Sequence, residues 1–528
     1  MQRTTSRIAA VLGVWLGLVA LHAPFLKLPY YWDEAGYYVP AALDFFRHGL
    51  LIPSSTEPIG HTPLVSVYLA VVWRIFGFSP LVTRAAMILF AAGTVTATAV
   101  LARRLFADRA AGREAAFAAA GLLAVTPLFF AQSELVFLDL AVAFFSLVAL
   151  MALLDERWIL SATMGSLAVL TKETAIVLLP AAWVYLWIEN RRAGRRFPVS
   201  AWLATAAPCL PLALWALYYH RHTGFWTGNA GYLQYNLYST LNPVRFVLSL
   251  LRRLYELFLS GFNWLLVAPA VAGWWSSRNH PQITQIQQRE QNGKRIANKA
   301  ESWRRLILLT ALLSTAYLLM LSAVGGAVLL RYMLPIYPPL MIVAVGWIWR
   351  LPRGLARATC IAAAACLVFA WFNNPPYPFP YEDNLAFADF IHLHQQAAEY
   401  LEHRDAAESA GGSASELRIL SAWPATNELE TPDLGYVTRP LRVVPVGGFS
   451  AGDLQRVAPE SFDVLYLYSR KWEPPGDWVE RLPWMAELQL RYFDYSPQMT
   501  AQALASRFHL KLSARWERGG QWVAIYER

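Results

Sequence analysis

The sequence predicts a polytopic α-helical membrane protein that ends in a small α/β domain. Three observations carry this: a scarcity of charge, recurrent long apolar stretches, and a change of composition after residue 373. Only 15% of the 528 residues are charged and 56% are hydrophobic, whereas an ordinary soluble domain is about 25% charged. A single soluble core cannot bury that much apolar surface. Stretches of roughly 17 to 25 residues, the length that crosses a ~30 Å hydrocarbon layer, recur from Ile8 to Phe372.

Hydropathy places spans near 8–28, 82–101, 115–130, 135–154, 158–170, 174–188, 199–219, 256–275, 306–328, 333–349 and 358–372, about eleven in all. The first resembles a signal peptide, but more spans follow and no small-residue cleavage site stands out, so it reads as an anchor. The shorter stretch 64–77 reads as an interfacial helix. Orientation follows from where Lys and Arg collect. With Met1 inside, the inner loops hold Arg3, Arg7, Arg103, Arg104, Arg109, Arg113, Arg157, Arg191, Arg192, Arg195, Arg196, a cluster from Arg278 to Arg305, and Arg350, Arg353 and Arg357. An odd number of spans then puts the C-terminus outside. This distribution also accounts for the net charge of +9 without nucleic acid, because the basic residues sit in short loops rather than along one soluble face. The three cysteines, Cys209, Cys360 and Cys366, fall in predicted spans and support neither a disulfide framework nor a thiolate metal site.

Asn373-Asn374-Pro375-Pro376 closes the last span, which divides the chain into a membrane domain, 1–373, and a soluble outer domain, 374–528. Phe387, Phe390, Ile391, His394, Ala398 and Leu401 recur at helical spacing and predict a helix over 383–404. Gly411-Gly412-Ser413 reads as a loop. The runs 417–422, 441–446 and 462–468 read as buried strands, and 510–526 as a hairpin around Gly519-Gly520.

A charged side chain beside a bilayer is costly, so each one at a span end is a functional candidate. Before Asn373 the outer side carries few acids: Asp33, Glu34, Asp44, Glu57, Glu134, Asp139, Glu173 and Glu256. Two are adjacent, in Tyr30-Tyr31-Trp32-Asp33-Glu34-Ala35-Gly36-Tyr37-Tyr38. One reading is a solvated helix cap. The other is a general base or metal-organising pair, since a weak hydroxyl nucleophile needs a positioned carboxylate to take its proton. Asp139 stands where a helix N-terminus would steady a carboxylate. Lys172 either snorkels to the interface or meets phosphate. Arg331 offers a planar fork for phosphate, followed by Tyr332 and a Pro-broken helix.

The order of Trp32-Asp33-Glu34-Ala35, Gly60-His61-Thr62-Pro63-Leu64 ending at Phe76-Gly77, Leu138-Asp139, Leu170-Thr171-Lys172-Glu173 and Arg331-Tyr332-Met333-Leu334-Pro335-Ile336-Tyr337-Pro338 resembles the GT-C glycosyltransferases. It is most similar to the family of protein O-mannosyltransferases and the lipid A aminoarabinose transferase, over roughly residues 8 to 349. The resemblance implies a GT-C membrane domain that inverts the anomeric centre of a sugar carried on a polyprenyl phosphate. It implies Asp33 as the catalytic carboxylate with Glu34 as its partner or an acceptor-positioning group, Asp139 as a second acid, and Lys172, Arg331 and Tyr332 around the donor phosphate. Relatives often carry Glu-Lys where this chain has Gly60-His61. That puts a metal site built on the Glu in doubt and leaves His61, with nearby Glu57, as candidates for a metal or phosphate contact or for simple interface hydrogen bonding.

The expected partners are therefore a polyprenyl-phosphate-linked sugar, membrane lipids, and an acceptor that is a lipid, a glycan or a protein, with no nucleic acid. A divalent metal ion is an open cofactor. The expected location is a bacterial plasma membrane, with the N-terminus cytoplasmic and the outer domain periplasmic. That domain is expected to govern acceptor choice or complex stability rather than bond cleavage. A transporter of lipid-linked sugars and a noncatalytic envelope-assembly protein are the rival classes; inverted repeats would favour the former, and none is seen.

Overall fold

The computed structural model describes residues 2–106, 111–194, 198–279, 293–410, 417–472, 482–493 and 498–528. Arg109, Arg195, Arg196 and the Gly411-Gly412-Ser413 loop lie outside the described residues. The chain forms two compact units, one of Met1–Ala23, Pro58–Tyr68 and Ala85–Asn373, the other of Pro24–Glu57, Leu69–Arg84 and Asn374–Arg528.

The described helices are long and apolar in the first unit. Among the described residues, five helices are long and apolar enough to cross a membrane: Pro80–Leu105, Val199–Thr223, Ala300–Ala323, Leu330–Ile348 and Arg353–Phe372. Shorter apolar helices occupy Ile8–Leu21, Leu64–Phe76, Leu138–Leu154 and Trp158–Thr171. The eleven expected spans are thus not reproduced as eleven full-length helices, and local chemistry explains where they divide. The stretch 115–130 is interrupted at Thr126 by Pro127, which begins a new short helix, Pro127–Gln132. The stretch 256–275 is broken by Gly261 at φ 57°, a left-handed conformation that only glycine adopts cheaply. The helix Leu138–Leu154 has 17 residues, about 25 Å at 1.5 Å per residue.

In the second unit, strands β1 (Arg418–Ala422), β2 (Arg442–Val446), β3 (Val464–Tyr468), β4 (Lys511–Arg518) and β5 (Gln521–Glu527) form one sheet in the order β2-β1-β3-β5-β4. β1 lies parallel to β2 and β3, and β5 antiparallel to β3 and β4. Burial matches position: all of β3 is buried, whereas edge strand β4 is mostly exposed. Gly519 and Gly520, at φ 55° and 80°, supply the positive φ values that a two-residue hairpin turn requires. The helix predicted over 383–404 is observed as Ala386–Ala410, and all six residues of its predicted apolar face are buried.

Candidate functional site

In the first unit the site is built where three elements end. The helix Leu138–Leu154 places Asp139 in its first turn, where unpaired backbone N–H groups favour a carboxylate. The helix Trp158–Thr171 stops at Lys172, whose backbone turns extended at φ −155°, ψ 130°. Arg331 and Tyr332 lie in a tight helical segment, Leu330–Ile336, containing Pro335.

Their side chains converge. Lys172 Nζ donates to Asp139 Oδ1 at 2.8 Å, and Arg331 Nε lies 3.7 Å from Asp139 Oδ2. All three are buried, at 5%, 3% and 2% exposure respectively. Aromatic rings enclose the cations: the Arg331 guanidinium stands 3.9 Å from the Phe137 ring centre and Lys172 Nζ 4.0 Å from that of Tyr332. Two buried cations sharing one carboxylate inside an aromatic wall form a surface suited to a phosphate oxygen.

His61 meets a partner that the sequence did not assign to it. Its Nδ1 lies 3.0 Å from both carboxylate oxygens of Glu173, the residue after Lys172. The segment that presents His61 is fixed on both sides. Gly60 has φ 77°, and a Cβ there would stand 2.1 Å from the Gly228 nitrogen, so only glycine fits. Trp215 Nε1 donates to Gly60 O, Thr62 Oγ1 to Val169 O, and the Tyr219 hydroxyl to both Pro58 O and Gly228 O. Tyr232 sits edge-on to His61 at 6.1 Å. Burial, reinforced by the nearby Glu173 carboxylate and by Tyr332, raises the Tyr232 hydroxyl well above its ordinary pKa, so Tyr232 remains a proton donor. Among the described residues, no group of three or more His, Cys, Asp and Glu side chains is arranged to hold a metal ion.

In the second unit the two adjacent acids of the first loop are separated in environment. Glu34 is fully buried and pairs with fully buried Arg84, with Arg84 Nη2 3.3 Å from Oε2. It also accepts the Tyr31 N–H at 2.6 Å, while Arg84 Nη2 donates to Pro29 O at 2.7 Å. These contacts make Glu34 an anchor of the loop. Asp33 is half-buried, between Trp32, whose φ is 46°, and a π-helical turn, Glu34–Tyr38. Non-glycine residues at positive φ and π turns both concentrate at functional sites. Burial, then the charges of Asp33 and Glu57, push the Tyr37 hydroxyl up to about 12.

Residues beyond Asn373 contribute directly to this loop. Trp423 packs 5.4 Å from the Trp32 ring and 5.2 Å from the Tyr37 ring, and a Cβ on Gly36 would stand 2.3 Å from Trp423 Nε1. Phe390 packs on Tyr31 and Trp32, the Arg470 guanidinium lies 5.8 Å from the Trp32 ring, and the Tyr436 hydroxyl donates to Tyr30 O. Residues beyond Asn373 thus pack against the loop that carries Asp33. Their signal in the sequence was weak, because isolated Trp and Phe residues in a soluble domain read as core.

Residues 60–215 match the family model described as dolichyl-phosphate-mannose-protein mannosyltransferase. Among solved structures, ArnT from Cupriavidus metallidurans bound to undecaprenyl phosphate aligns with a TM-score of 0.51 at 15% identity, over 99% of this chain and 98% of ArnT. The chain shares the fold of ArnT. The same protein in its apo state aligns with a TM-score of 0.47 at 14% identity, over 99% and 98%. The comparison with curated proteins found no match. The resemblance read from the motifs thus holds at the level of the fold shared with ArnT and, over 60–215, of the mannosyltransferase family model. That segment contains His61, Asp139, Lys172 and Glu173; Asp33, Glu34, Glu57, Arg331 and Tyr332 lie outside it.

Proposed function

We propose that this chain is an inverting glycosyltransferase that moves a sugar from a polyprenyl-phosphate carrier to an acceptor at the outer face of a membrane. The observation that carries the reading is the buried cluster of Lys172 and Arg331 on Asp139, walled by Phe137 and Tyr332. ArnT, which shares the fold, has been solved with undecaprenyl phosphate bound.

In this reading the bond between the anomeric carbon and the phosphate oxygen breaks, and its electron pair leaves with the polyprenyl phosphate. Lys172 and Arg331 stabilise the charge that grows on that phosphate. The acceptor hydroxyl forms the new bond on the opposite face of the sugar and gives its proton to Asp33. Asp139 orients both cations. Glu34 holds the loop that carries Asp33, a role distinct from catalysis. His61, braced by Glu173, is a further candidate for contact with the phosphate. The helices act as spans, the N-terminus is cytoplasmic, and residues 374–528 are external, as the Lys and Arg distribution indicates.

Mass spectrometry of envelope lipids, glycans and glycoproteins from cells with and without the protein tests this function. Loss of one defined sugar from one acceptor class, with accumulation of its carrier-linked form, is the expected result. Identical sugar-bearing species in both cells would overturn it.

A further inference from the structure

The helix Pro243–Phe258 reverses the usual amphipathic arrangement. Arg245, Ser249 and Arg253, spaced at i, i+4 and i+8, are buried, while Val247, Leu251 and Tyr255 are exposed. A buried guanidinium needs acceptors for its donors, and these two find them in a single segment, 321–329, that runs from the last turn of the helix Gly293–Ala323 into the loop after it. Arg245 Nη2 donates to Gly325 O at 3.0 Å and Gly326 O at 2.8 Å. Arg253 Nη2 donates to Leu321 O at 3.1 Å and its Nη1 to Leu329 O at 3.4 Å.

The preceding residues hold the same loop. Asn236 accepts the Gly325 N–H on its backbone oxygen at 2.8 Å and the Gly326 N–H on Oδ1 at 3.0 Å. Thr240 Oγ1 donates to Ala323 O at 3.1 Å. Neither glycine can be replaced without rearrangement, since Gly325 has φ 106° and a Cβ on Gly326 would stand 2.3 Å from the Tyr235 ring. Side chains from 235–253 therefore fix both ends and the middle of 321–329. Leu330 follows, and then Arg331 and Tyr332.

We propose that Asn236 and Arg245 are positioning residues for the carrier-phosphate site: they hold the Gly325-Gly326 turn in the one arrangement that delivers Arg331 to Asp139 and Phe137. They touch neither phosphate nor sugar. This rests on the proposed contact of Arg331 with phosphate, so the experiment contains a variant that tests that contact separately.

The full-length chain is compared as wild type, Asn236→Ala, Arg245→Lys, Arg331→Lys, and the two double variants containing Arg331→Lys. The dissociation constant of a polyprenyl phosphate and the thermal midpoint without ligand are measured for each. Lysine keeps the charge of Arg245 but is one bond shorter, so its ammonium does not reach the place from which Nη2 meets both carbonyls. Asn236→Ala and Arg245→Lys are expected each to weaken binding about five- to tenfold, the range of one ordinary hydrogen bond, with thermal midpoints close to wild type. In the Arg331→Lys background they should add little, because they act through that residue. Additive losses, or a lower thermal midpoint with unchanged affinity, would show a merely structural clamp and overturn the inference. Unchanged binding by Arg331→Lys alone would instead overturn the assignment of Arg331, and the inference with it.

Discussion

Lys172 Nζ lies 2.8 Å from Asp139 Oδ1, and both side chains are almost completely buried. The helix Leu138–Leu154 starts at the carboxylate and the helix Trp158–Thr171 ends at the ammonium, so a single ion pair joins the termini of two packed helices. Removing one member of a buried pair leaves the other charge uncompensated, at about 3–5 kcal/mol.

Asp139→Asn should therefore lower thermal stability in the absence of ligand, because Lys172 and Arg331 lose their shared carboxylate. An added polyprenyl phosphate should restore more stability to this variant than to wild type, since its anion takes the place of the lost charge. Ligand-dependent thermal denaturation checks this. Equal stabilisation of the two proteins would remove phosphate from the cluster.

The neighbouring acids of the first loop should behave differently. Asp33→Asn keeps shape and loses basicity, so turnover should fall by about 10²–10⁴-fold with normal folding. Glu34→Gln weakens the fully buried pair with Arg84 and should reduce the yield of folded protein and its thermal midpoint. Kinetics beside thermal denaturation separate the two, and a stable, inactive Glu34→Gln protein would contradict the anchoring role.

Gly36→Ala should disturb the loop through Trp423 rather than through backbone strain, because the added methyl would meet the indole. Replacing Trp423 by Leu in the same chain should recover part of the lost activity. If the double variant is as impaired as the sum of the two single changes, the collision is not the cause.

A chain ending near Phe372 should lose donor cleavage as well as transfer. Phe390, Trp423 and Tyr436 all pack on residues 30–37, and without them the loop around Asp33 has no wall. Retention of wild-type donor hydrolysis by a stably inserted truncation would instead support the division in which residues 374–528 only select the acceptor.

Reporter fusions after Arg196 and after Asn374 should lie on opposite sides of the membrane. The same side for both would refute the topology.

Periodicity and charge made much of the fold legible. The helix Ala386–Ala410, strands β1, β2 and β3 and the hairpin at Gly519 all followed from local spacing and turn chemistry. Span counting was less secure, because Pro127 and Gly261 divide apolar stretches that hydropathy reads as continuous. In the site, Asp139, Lys172 and Arg331 could be singled out because charge at a span end is expensive. Arg84 carried the same signal within the predicted span 82–101. Its partnership with Glu34 could not be seen, since nothing in a linear sequence pairs residues 50 apart. The partnership of His61 with Glu173, across 112 positions, was hidden for the same reason.

The most direct test of the account is to give the purified full-length chain in lipid nanodiscs a panel of polyprenyl-phosphate sugars and to measure release of free polyprenyl phosphate. The account predicts release from at least one donor, inversion at the anomeric carbon of the transferred sugar, and loss of release in Asp33→Asn. A chain that binds polyprenyl phosphate but leaves every donor in the panel intact, while moving such lipids across a vesicle membrane, would contradict it and establish a transporter.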